Sequence, residues 1–159
     1  YAGPQRPIDA YQPRSLLTSW QIAGPFTRTE DVLAEGSRPA ERRWREFAVD
    51  ARGAVMTTKV LDFHGPRTVA YFRTTVHAEH AGRAVFRIST VDDLALWING
   101  QFRAFIPRGE LAWFDFASNT AHDGQRIPID LIPGANEIVL RARGGVYASG
   151  GFFARLERS

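Results

Sequence analysis

The sequence predicts an all-β domain folded as a sandwich of two antiparallel sheets, and three observations carry that prediction. From Thr18 onward, short runs rich in β-branched and aromatic residues recur between turn residues, about a dozen positions apart. Within the runs the polarity alternates: Ala70, Phe72, Thr74 and Val76 share one face, and Tyr71, Arg73, Thr75 and His77 take the other. Asn99-Gly100 lies between Trp97-Ile98 and Gln101-Phe102, where a two-residue hairpin turn requires positive φ at both central positions.

Along the chain, the first stretch carries Pro4, Pro7 and Pro13 with few apolar residues, which predicts an extended, hydrogen-bond-poor arm over 1–15. One sandwich domain is expected over 16–159. Its strands are predicted at 18–23, 55–63, 68–78, 83–91, 94–98, 101–105, 111–116, 126–131, 137–143 and 151–157. Ala84, Phe86 and Ile88 repeat the alternation, as do Ile127, Ile129 and Leu131, then Ile138, Leu140 and Ala142, so these faces close a common interior. Ala81-Gly82 predicts a hairpin between the strands at 68–78 and 83–91, and Pro133-Gly134 marks a further turn. Helix is confined to a short turn within 29–35 at most.

Composition narrows the functions. A chain of 159 residues buries about two-thirds of its unfolded surface in one core. With 44% hydrophobic and 23% charged residues it is neither disordered nor fibrous. Apolar runs such as Leu94–Ile98 are far short of the roughly 20 residues of a spanning helix. There is no cysteine, which removes disulfides, thiolate metal sites and cysteine nucleophiles together. Lys59 is the sole lysine among 20 lysines and arginines, a bias that favours planar anionic or aromatic partners. The 17 acidic residues nearly cancel those 20 charges and no basic run occurs, which argues against a nucleic-acid partner. The opening segment has no apolar stretch of the signal-peptide kind, and Tyr1 in place of Met points to an export signal or anchor upstream.

Several landmarks in order resemble the galactose-binding-domain-like jelly rolls found in carbohydrate-binding and accessory modules of exported bacterial proteins. Trp20-Gln21-Ile22-Ala23-Gly24-Pro25-Phe26 resembles the W-x-x-x-G-P-F entry strand, and Val69 to Arg73 resembles the start of the central block. Asp92-Asp93 followed by Leu96-Trp97-Ile98-Asn99-Gly100 resembles the acidic turn, tryptophan strand and Asn-Gly hairpin of that group. Ile129 to Ile138, with Gly134 and Asn136, is similar to its L-x-x-G-x-N segment, and Gly151 to Leu156 to its closing strand. The resemblance implies a jelly roll and an extracytoplasmic, periplasmic or secreted setting. It departs at Leu94, where a glycine is common. Because the fold hosts sugar binders, protein binders and spacers, function transfers only by analogy.

Catalysis is not expected. Asp92, Asp93, Asp115, Asp123 and Asp130 offer no identifiable acid and base pair, and adjacent aspartates on a turn read first as turn caps. His77 and His80 are three apart and so face opposite sides of a strand; His64 and His122 are isolated. Ser118 and Ser149 lack a nucleophile elbow. No cofactor is expected, although the resemblance implies that a structural calcium is compatible with this fold, with Asp31, Asp62 and Glu157 as its oxygen donors. Gly144-Gly145 and Gly150-Gly151 bracket Tyr147 without a phosphate-loop pattern, which reads as a loop at the sandwich end.

What remains is a combination of rings and guanidiniums. Trp97, Trp113, Phe116 and Tyr147 with Arg73, Arg87, Arg141 and Arg143 suit a glycan, rings stacking on sugar C–H faces and arginines bonding hydroxyls or carboxylates. Trp97 and Phe102 read more simply as a buried cross-strand pair beside the Asn-Gly turn. The expected ligand contacts are therefore Trp113, Tyr147, Arg141, Arg143, Arg73 and Phe116. Two functions fit: a carbohydrate-binding accessory domain of an exported protein, or an interaction subunit docking a protein partner in a larger envelope or membrane-associated assembly through its arm and aromatic edge.

Overall fold

A computed structural model describes residues 6–7, 17, 19–27, 44–48, 54–55, 68–90, 93–107, 114–115, 120–121, 125–143 and 152–158. These form thirteen strands and no helix: β1 (Arg6–Pro7), β2 (Ser19–Thr27), β3 (Arg45–Ala48), β4 (Ala54–Val55), β5 (Thr68–Ala78), β6 (Gly82–Thr90), β7 (Asp93–Ile98), β8 (Gln101–Ile106), β9 (Phe114–Asp115), β10 (Thr120–Ala121), β11 (Gln125–Leu131), β12 (Gly134–Arg143) and β13 (Phe152–Arg158). No helix among the described residues is long and apolar enough to cross a membrane.

Two antiparallel sheets make the sandwich: a six-stranded one in the order β3-β2-β5-β12-β7-β8 and a four-stranded one in the order β11-β6-β13-β4. The alternation read from the sequence is what joins them. Trp20, Ile22, Ala70, Phe72, Leu94, Leu96, Ile138 and Leu140 of the first sheet meet Ala84, Phe86, Ile88, Ile127, Ile129, Phe152 and Ala154 of the second in one buried cluster. Each large side chain there contributes about 1.5–3 kcal/mol by leaving water. At its centre Phe152 stands edge-on to Trp20 and Phe72, with centroids 5.2 and 5.1 Å away, so one ring from β13 keys into two strands of the facing sheet. The indole N–H of Trp20 donates to the Leu17 carbonyl at 2.7 Å, which leaves no unpaired donor in that cluster.

The expected hairpin at Ala81-Gly82 is not one. β5 pairs with β2 and β12, whereas β6 pairs with β11 and β13, so residues 79–81 carry the chain from one sheet to the other. The same is true of Ile132-Pro133 between β11 and β12. A turn signal reports that the chain reverses; it does not say whether the reversal stays in one sheet. Such repeated crossing between sheets is the jelly-roll pattern. Asn99-Gly100, by contrast, does close a hairpin, β7 to β8, with φ of 50° and 79°.

Local irregularities also have sequence causes. The pairing of β2 with β5 slips between Ala23 and Phe26, at Gly24-Pro25, where Gly24 adopts a φ of 117° closed to other residues and Pro25 has no N–H to give. In β8, Arg103 is the extra residue of a bulge and its Nε donates to the Pro128 carbonyl of β11 at 2.9 Å, tying the edges of the two sheets together. Among the described residues of the predicted arm, Arg6–Pro7 is paired: β1 joins β10, and β10 joins β9, in a small three-stranded sheet. The short turn predicted within 29–35 lies outside the described residues.

Candidate functional site

The six-stranded sheet is apolar on both faces. On the side away from the core, Ala23, Val69, Tyr71, Ala95, Trp97 and Val139 form a second buried cluster, with Trp44 packed against it. Strand period places them there: they are the residues of β2, β5, β7 and β12 that alternate with the core set. A face of this kind is where a sandwich holds polar groups in fixed positions over an apolar floor.

Arg73 is the best-positioned group on it. Its Nε donates to Oε1 of Gln21, its direct partner across β2 and β5, at 2.8 Å. Its guanidinium carbon lies 4.4 Å from the centroid of the Trp44 ring, and Nη1 is 3.8 Å from Oε2 of Glu137 on β12. Three elements thus hold one guanidinium, yet its side chain is still 26% exposed and that of Glu137 39%. Cation–π contact of this kind contributes about 0.5–2 kcal/mol and keeps the planar fork oriented.

Arg141 lies on the same face of β12, opposite Tyr71 and Ala95, and is buried, with its guanidinium 5.6 Å from the Trp97 ring centroid. Arg143, two residues on and half-buried, pairs in register with Asp93 and Val69. The structure therefore brings Arg73, Arg141 and Arg143 of the expected set onto one sheet face. The Nε1 of Trp97 is buried and has no hydrogen-bond acceptor among the described residues. Trp113, Phe116 and Tyr147 lie outside the described residues, as do Asp31 and Asp62.

The pairing of Trp97 with Phe102 holds in register and geometry, edge-on at 5.7 Å, but only the indole is buried. Phe102 is 38% and Phe105 47% exposed, because β8 is the edge strand and these two residues lie on its outward side. Glu157 sits on the other sheet, ion-paired with Arg87 and Arg155. Among the described residues no group of three or more His, Asp or Glu side chains is disposed to hold a metal ion.

Gln21, Trp44 and Glu137 are part of this face and were not singled out by the sequence. Gln21 stands at an unspecified position of the W-x-x-x-G-P-F entry-strand motif. Trp44 precedes a strand of four residues, Arg45–Ala48, too short and too charged to show a period. A polar residue paired across a strand with a half-buried arginine carries no linear signature.

No protein-family model matches the chain, and no curated protein matches it in sequence. Among solved structures, it is similar to a β-glucosidase from Kluyveromyces marxianus, with 13% identity and a TM-score of 0.52 over 92% of this chain and 18% of that one. The same enzyme in complex with glucose gives 15% identity and a TM-score of 0.51 over 89% and 16%. The chain thus spans less than a fifth of the length of this enzyme. At this identity the likeness is one of fold: a β-sandwich of the kind carried within a glycosidase.

Proposed function

We propose that this chain is a non-catalytic carbohydrate-binding accessory domain of an exported protein, and that it receives its ligand on the outer face of the six-stranded sheet. The observation that carries the reading is Arg73, held by Gln21, Trp44 and Glu137 and still open to solvent. A guanidinium, an amide and a carboxylate side by side supply both donors and acceptors for sugar hydroxyls, and the indole supplies an apolar surface for C–H groups. Preorganisation matters here, since polar contacts to hydroxyls give net affinity only where the protein groups are already aligned.

Titration of neutral and acidic oligosaccharides by calorimetry tests this. Binding is expected, with Arg73→Ala and Trp44→Ala each weakening it about tenfold or more while the melting temperature shows the fold retained. A blank across the whole panel overturns the proposal. A second reading, docking onto a protein partner, is favoured by one observation, the exposed Phe102 and Phe105 on the edge strand β8. It predicts that Phe105→Asp releases a partner that copurifies with the domain.

A further inference from the structure

Where the outer face of the six-stranded sheet is open around Arg73, acids outnumber the one base among the described residues. Glu46 of β3 stands directly opposite Gln21 of β2, and Gln21 directly opposite Arg73 of β5. Residues opposite one another share a face, so the exposed Glu46 lies two strand spacings, about 10 Å, to one side of Arg73. Glu137 of β12 flanks it on the other side, its carboxylate 3.8 Å from Nη1. The other arginines of the face do not redress this: Arg141 is buried, and Arg143 stands opposite Asp93.

The hydrogen bonds already made decide what these groups can still take. Both Nε and Nη2 of Arg73 donate to Oε1 of Gln21, so that oxygen is committed and the donors on Nε2 are what Gln21 has left to offer. Nη1 and Oε2 of Glu137 attract each other across 3.8 Å, a gap too long for a hydrogen bond. An oxygen set over that gap can lie about 2.9 Å from both atoms. A hydroxyl placed there accepts from Nη1 and donates to Oε2 at once. A carboxylate oxygen accepts from Nη1 but has no proton for Oε2, which it meets as a like charge.

Taking this face as the glycan site proposed above, we infer that Glu137 makes it selective for uncharged sugars: a hydroxyl binds across Arg73 and Glu137, and a uronate presented at the same place is turned away. Discrimination by repulsion needs a charge fixed beside the contact that the right ligand makes. Glu137 has that position, since it borders the guanidinium and keeps its carboxylate open to solvent. Glu46, further from Arg73 across the strands, adds to the same field more weakly.

Calorimetric titration of the whole chain with neutral cello-, manno- and galactohexaose, each beside the same hexaose oxidised at C6 to the uronate, tests the inference. A neutral hexaose is expected to bind, with its uronate at least about tenfold weaker. Glu137→Gln keeps the size of the side chain and removes its charge. It should bring the uronate to within about threefold of the neutral sugar, and Glu46→Gln should narrow the gap by less. A merely structural role for Glu137 would weaken both ligands alike and leave their ratio unchanged, and that result overturns the inference. So does a uronate that the unaltered chain binds as tightly as its neutral partner; if Arg73→Ala then abolishes both, the glycan site stands without its selectivity. A blank on every ligand overturns the glycan site itself, and the selectivity with it.

Discussion

Asn136 is fully buried, and its side chain organises the end of the sandwich where three segments meet. Its Nδ2 faces the carbonyls of Ile132 at 2.9 Å, Gly134 at 3.1 Å and Val76 at 3.4 Å. Its Oδ1 accepts from Ile132 N at 2.9 Å and from Asn99 Nδ2 at 3.0 Å. Asn99 in turn exchanges two bonds of 2.8 Å with the backbone of Glu137, one through its own N–H and one through its side-chain oxygen. The two asparagines therefore clasp the β7–β8 hairpin to the crossing that enters β12. Asn136→Ala is expected to cost at least about 3 kcal/mol in urea unfolding, because it strands several buried groups at once. Asn136→Asp, which turns an acceptor toward three carbonyls, should cost no less than the alanine. The motif that contains Asn136 was legible in the sequence as a turn; its role as a buried bridge was not, since the partners Asn99, Val76 and Ile132 lie at three separate points of the chain.

Strands were legible where they alternate and are flanked by turn chemistry. The strand predicted at 68–78 coincides with β5, and those at 94–98 and 101–105 fall within β7 and β8. Short or charged strands were not: β3 and β10 offer four and two residues, too few for a period of two to stand out. Pairing was legible only across Asn99-Gly100. At 79–81 and 132–133 the same turn residues serve a crossing between sheets, which depends on what lies on the far side of the core. Gly134 marks the second crossing, with a φ of 93° and no atom within 4 Å of the place a Cβ would take. Gly134→Ala is thus expected to lower stability by about 1–2 kcal/mol through backbone conformation alone, read as a lower urea midpoint with an unchanged slope. Of the candidate site, Arg73, Arg141 and Arg143 were legible as types suited to a ligand. That they share a face follows from the two-residue spacing of Arg141 and Arg143 and from the register that sets Arg73 opposite Val139, and that Arg141 is buried while Arg73 is open follows from packing that no linear pattern records.

At the scale of the whole molecule, each sheet is assembled from strands that alternate along the chain: β4, β6, β11 and β13 in one, with β5, β7, β8 and β12 interleaved in the other. Neither sheet exists without the other, so a loss at their shared centre is felt throughout. Phe152→Ala is expected to remove about 3–5 kcal/mol, a large share of a domain's net stability, in a single cooperative transition seen alike by tryptophan fluorescence and far-ultraviolet dichroism. Two probes melting at different urea concentrations would contradict the interleaving. The closing contact of this architecture is the hydrogen bond from Leu17 N to the Ala154 carbonyl, 3.1 Å, which joins the segment leading into β2 to the last strand. The segment entering the sandwich is therefore tied to the middle of its closing strand. A pull on the chain ahead of Leu17 thus loads β13 and the four-stranded sheet as well as β2, so both sheets share the strain at the sandwich's entry.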